Sequence, residues 1–67
     1  MMQIGLKGHG HDITVELELS STIRQALDKA GIHPSTVLVS HEDVVLPHST
    51  ILTGDLNLDL TVVSSGG

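Results

Sequence analysis

Apolar and polar residues alternate in three stretches of the chain. Met2, Ile4 and Leu6 alternate with Gln3, Gly5 and Lys7. A period of two puts every second side chain on one face, so this stretch predicts a strand with one buried side. Ile13, Val15, Leu17 and Leu19 alternate with Asp12, Thr14, Glu16 and Glu18 and predict a second strand. Gly8-His9-Gly10-His11 lies between them. Its two glycines accept positive φ at little steric cost, so the two strands are expected to form an N-terminal hairpin. Leu56, Leu58, Leu60 and Val62, with Asn57, Asp59 and Thr61 between, predict a last strand after a Gly54-Asp55 turn.

The middle of the chain has other periods. Ile23, Ala26, Leu27 and Ala30 fall at i, i+3, i+4 and i+7, one stripe of a helix over 22–30. Ser20 or Ser21 can cap its start, Gly31 suits a left-handed stop, and Pro34 prevents resumption. A helix of about nine residues does not persist alone, so its stripe must dock on a sheet. In Thr36–Ser40, Val37 and Val39 share one face and Leu38 takes the other. His41-Glu42-Asp43 reads as a polar turn. Val44–Leu46 reads as a brief strand closed by Pro47, which suits an edge strand or a strand end. His48–Thr53 reads as a connector anchored by Ile51 and Leu52. The predicted order is β-β-α-β-β-β. This is an α+β fold, a mixed sheet with one helix packed across a face and the last strand inside the sheet, parallel to the first. Residues 1–63 form the expected domain, and Ser64-Ser65-Gly66-Gly67 a small, uncharged, flexible tail.

Composition narrows the chemistry. The chain has 67 residues and no Cys, which removes disulfides, thiolate metal sites and catalytic thiols. Lys plus Arg is 3 against 8 Asp plus Glu, and there is no aromatic residue. Three cations do not neutralise a phosphate backbone and nothing stacks on bases, so direct nucleic-acid binding is not expected. The longest apolar runs are a few residues, far below the roughly 20 of a membrane span, and no secretory signal is seen. A core built from 22 Leu, Ile and Val residues leaves little room for a catalytic pocket.

The element order, covering essentially the whole chain, resembles the ubiquitin-like β-grasp proteins. The nearest likeness is to the prokaryotic sulfur carriers of thiamine and molybdopterin synthesis and to the small archaeal modifier proteins. Val37-Leu38-Val39-Ser40-His41-Glu42-Asp43-Val44-Val45-Leu46-Pro47 looks like the family's strand, polar turn and short strand ending in Pro. Ser40-His41 departs from the Asn-Gly or Asp-Gly often found there. Leu52-Thr53-Gly54-Asp55 precedes the last strand, and Gly66-Gly67 follows it.

The resemblance implies that the chain is a carrier and not an enzyme. A ubiquitin-activating-type partner enzyme would use ATP to adenylate the Gly67 carboxylate, and no cofactor would be bound by the chain itself. Attack by sulfur would give a thiocarboxylate for tRNA thiolation, molybdopterin or thiamine synthesis. Attack by a lysine amine would give an isopeptide with a target protein. The expected partners are thus the activating enzyme and either sulfur donor and acceptor enzymes or target-protein lysines. The resemblance further implies a cytoplasmic monomer. Gly66 and Gly67 lack Cβ and can lie in a narrow channel. Four extended residues reach at most about 14 Å from the sheet.

Other residues are weighed against plainer roles. Leu38, facing away from Val37 and Val39, is a candidate docking residue, although one exposed leucine is ordinary. Lys7 and Lys29 are the only lysines and so the only side-chain acceptors for self-conjugation. His9, His11 and Asp12 make a weak metal set in a solvated turn, and no metal is expected. His33 reads as a loop residue, and His41 and His48 lie in connections. Glu16, Glu18, Asp55 and Asp59 read as a solvated acidic surface. The competing function is a non-catalytic β-grasp interaction module whose Gly-Gly end is incidental and whose binding is carried by a sheet edge.

Overall fold

The first two strands, β1 (Met2–Gly8) and β2 (His11–Leu17), pair antiparallel from Met2 opposite Leu17 to Gly8 opposite His11. The computed structural model describes residues 1–8 and 10–63; His9 and residues 64–67 lie outside it. β2 stops before Leu19, which the alternation had placed in the strand and which is 64% exposed. The chain turns there instead. The Ser21 N–H and hydroxyl both donate to the Glu18 carbonyl, at 3.2 and 2.7 Å, and Ser20 takes a φ of 70°. Reaching the helix requires this turn, and it forgoes burial of one more leucine.

The helix α1 (Ile23–Ala30) is capped by Thr22, not by Ser20 or Ser21. Thr22 Oγ1 accepts from the Gln25 N–H at 3.3 Å, and the Gln25 side chain accepts from the Thr22 N–H at 2.7 Å. This reciprocal box satisfies two otherwise orphaned donors. Ser21 is unavailable because its hydroxyl already serves Glu18. At the other end Gly31 sits at φ 78°. Its N–H donates to the Asp28 carbonyl at 3.1 Å, and the Ile32 N–H donates to Leu27 at 2.9 Å. That closure swings Ile32 into the core.

A 3₁₀ turn (Pro34–Thr36), not foreseen in the sequence pattern, leads into β3 (Val37–His41). β4 (Val44–Leu46) and β5 (Leu56–Val62) complete a five-stranded mixed sheet. Across the sheet the order is β2-β1-β5-β3-β4, which differs from the order along the chain. β5 runs parallel to β1, from Ile4 opposite Leu56 to Lys7 opposite Asp59, and antiparallel to β3. β4 forms one edge and is followed directly by Pro47, which needs no donor there.

Among the described residues the fold is therefore α+β, with one α-helix on one face of the sheet. Ile4, Leu6, Val39 and Leu58 meet Ile23, Ala26 and Leu27 in a single core. The connector after β4 is anchored differently from expectation. Leu52 is buried, but Ile51 is 53% exposed. Ile51 contributes main chain, pairing with Thr22, while the Ser20 N–H donates to the Leu52 carbonyl at 2.9 Å and the Leu52 N–H donates to the Ser21 carbonyl at 2.7 Å. In this extended pairing Leu52 turns inward and Ile51 outward. No helix among the described residues is long and apolar enough to cross a membrane.

Candidate functional site

The candidate site is the end of β5 and the residue after it, Val63, the last one described. The Val63 N–H donates to the Thr36 carbonyl at 2.9 Å, extending the β3–β5 ladder one step past β5. Thr36 is itself fixed, since its N–H and hydroxyl both donate to the His33 carbonyl, at 3.1 and 2.7 Å. Pro34 opens this short turn with a preset φ. Val63 is thus held to this turn by a backbone hydrogen bond.

A groove lies beside that point, lined by Arg24, His33, Pro34, Leu38, His48 and Val63 among others. Arg24 comes from the first turn of α1, and its N–H donates to the His48 carbonyl at 3.0 Å, drawing the connector against the helix. Leu38 comes from β3. It is 43% exposed where Val37 and Val39 are buried, and it faces away from them as the alternation requires. Among the described residues no side chain lining the groove is acidic. Arg24 makes no ion pair among the described residues, although Asp28 stands one helical turn away.

Of the residues singled out in the sequence, the structure brings Leu38 to the groove and leaves the two lysines elsewhere. Lys7 is exposed on β1, opposite Asp12 of β2 and Asp59 of β5. Lys29 is exposed in the last turn of α1. Gly66 and Gly67 lie outside the described residues, as does His9 of the candidate metal set. Among the described residues no three His, Asp or Glu side chains gather to hold a metal.

Glu16, Glu18 and Asp59 are exposed, as a solvated surface requires. Asp55 does more. One of its carboxylate oxygens accepts from the Gln3 N–H at 2.8 Å, closing the start of the parallel β1–β5 pairing. His41 Nδ1 lies 3.0 Å from the Asn57 carbonyl, and its Nε2 lies 3.9 Å from the Glu42 carboxylate. The imidazole carries the β3–β5 edge beyond the last backbone pair, Ser40 with Asp59.

Arg24, His33 and His48 were missed as site residues because they are distant in sequence and join only through the packing of α1, the 3₁₀ turn and the connector. One local signal was present. A cation in the first turn of a helix opposes the helix dipole, and Arg24 occupies that turn with no acidic residue to balance it. No family model matches the chain, and no curated protein matches it.

Proposed function

We propose that the chain is a ubiquitin-like β-grasp protein that serves as a cytoplasmic modifier, a sulfur carrier or both, with Gly67 as its reacting residue. The observation that carries the reading is the position of β5. It is central, parallel to β1, and followed by Val63, which is bonded to Thr36 and stands four positions before Gly67. Such an arrangement holds the domain steady while a terminus reaches into another protein's active site.

In this reading the chain is a substrate and the catalyst is a partner. A carboxylate is a poor electrophile. One oxygen of the Gly67 carboxylate attacks the α-phosphorus of ATP on a ubiquitin-activating-type enzyme, and pyrophosphate leaves. A sulfur nucleophile or a partner's thiol then attacks the acyl carbon of the mixed anhydride, and AMP leaves. The first course leads to a thiocarboxylate for tRNA thiolation, molybdopterin or thiamine synthesis. The second leads through a thioester to an isopeptide on a target lysine. Lys7 and Lys29 are accessible acceptors for self-conjugation.

Intact-mass spectrometry after incubation with ATP and the cognate activating enzyme tests the reading. Replacement of one oxygen by sulfur marks the carrier branch. Gly-Gly remnants on lysines of other proteins mark the modifier branch. Removal of Gly66 and Gly67 is expected to abolish both. The seven-residue edge strand β2 favours the second reading, an interaction module that binds by strand addition. That reading gains if the terminus stays unreactive while a peptide binds the edge.

A further inference from the structure

We propose that the groove beside Val63 is the surface by which an acidic segment of the activating partner recognises this chain, with Arg24 as its electrostatic anchor and Leu38 as its apolar contact. This rests on the carrier reading and adds a partner chemistry to it. The first support is charge. The chain carries 3 Lys and Arg against 8 Asp and Glu, yet among the described residues the groove is lined by its one arginine and two imidazoles and by no acidic side chain. A surface so unlike the rest of the molecule selects an acidic partner and repels a basic one.

The second support is cost. Arg24 stands where a cation opposes the dipole of α1, and an acidic residue there would stabilise the helix. Its guanidinium recovers nothing from an ion pair among the described residues. A residue that breaks a local rule without an internal gain points to an interaction outside the fold. The helix N-terminus is not itself the anion site. Its Ile23, Arg24 and Gln25 N–H groups are already taken by the Thr50 carbonyl, the His48 carbonyl and the Thr22 hydroxyl.

The third support is place. Val63 lines the groove, is bonded to Thr36, and is the last described residue before residues 64–67. A partner seated there holds the domain next to the point from which Gly67 must be delivered. Leu38 and Pro34 supply the apolar contact that fixes position, while Arg24 supplies charge selection.

The test is ATP–pyrophosphate exchange by the purified activating enzyme of the same cell, measured against concentration of the full chain and its variants. Arg24→Glu is expected to raise the half-saturating concentration at least about tenfold, to keep the maximal rate, and to lose most of its defect in high salt. Arg24→Lys is expected to stay within about threefold of the parent, because a point charge suffices at a rim. Circular dichroism is expected to show Arg24→Glu at least as helical as the parent, so misfolding does not account for a loss. Leu38→Asp is expected to weaken saturation without the salt rescue. Exchange that proceeds normally with Arg24→Glu overturns the groove and leaves the carrier reading intact. A lower half-saturating concentration for Arg24→Glu shows that the groove holds the chain's own terminal carboxylate, and overturns the partner assignment. No exchange with the parent chain overturns the carrier reading and this inference with it.

Discussion

Two backbone positions show how single residues constrain this fold. Gly8 ends β1 at φ 136°, and a Cβ built on it collides with the Leu60 carbonyl oxygen. The obstacle is main chain of the central strand, so it does not swing away. Gly8→Ala is expected to cost more than about 1 kcal/mol, read as a lower urea midpoint at unchanged slope. Glu42 and Asp43 present the opposite case. His41 pairs with Val44, so these two residues alone make the β3–β4 loop, and both take positive φ, at 50° and 66°. This is the geometry of a type I′ turn, which favours Asn-Gly and strains other side chains. The double change Glu42→Asn, Asp43→Gly is expected to raise stability by about 1 kcal/mol, seen as an upward shift of the thermal midpoint. The sequence marked a polar turn here but spread it over His41, because Glu and Asp carry no signal for a left-handed pair.

Within each element, legibility followed the strength of the periodic pattern. The alternation of β1 and β5 and the stripe of α1 were readable because burial repeats along them: Met2, Ile4 and Leu6, then Leu58 and Leu60, then Ile23, Ala26 and Leu27. The ends were less readable. Leu19 continued the β2 alternation in sequence, yet the turn closed by Glu18 and Ser21 takes it out of the strand. Serine is favoured at a cap and two serines precede the helix, but the Thr22–Gln25 spacing carries the real signal. Thr22→Ala is expected to cost about 1 kcal/mol and to fray the first turn of α1. Hydrogen exchange at Gln25 and Ala26 would report it directly, since Gln25 loses its acceptor and Ala26 bonds to the Thr22 carbonyl at the same turn. The 3₁₀ turn had no periodic signature at all, being only Pro34-Ser35-Thr36 between two elements.

At the scale of the whole molecule, the central pairing of β5 joins distant parts of the chain. Asp55 reaches Gln3 across 52 positions of sequence, and Leu58 pairs with Leu6. The candidate site was legible only in part for the same reason. Leu38 could be placed from its own strand, but Arg24, His33 and His48 become neighbours only when α1 and the connector pack together. A domain of this size holds about 3–10 kcal/mol of net stability. Leu58, fully buried on the central strand, contributes a comparable amount, since truncating such a leucine costs about 2–5 kcal/mol. Leu58→Ala is therefore expected to unfold a large fraction of the molecules at 37 °C and to lower every activity together. The described core runs from Met2 to Leu60, so removal of residues 64–67 is expected to leave the thermal midpoint within about 2 °C of the parent while abolishing acceptance of AMP or sulfur. Calorimetry beside intact-mass spectrometry checks both variants. If the truncated chain melts at the parent temperature and still gains sulfur, Gly67 is not the reacting residue. If it unfolds, residues 64–67 belong to the core, and a terminus needed for packing is not free to enter a partner's active site.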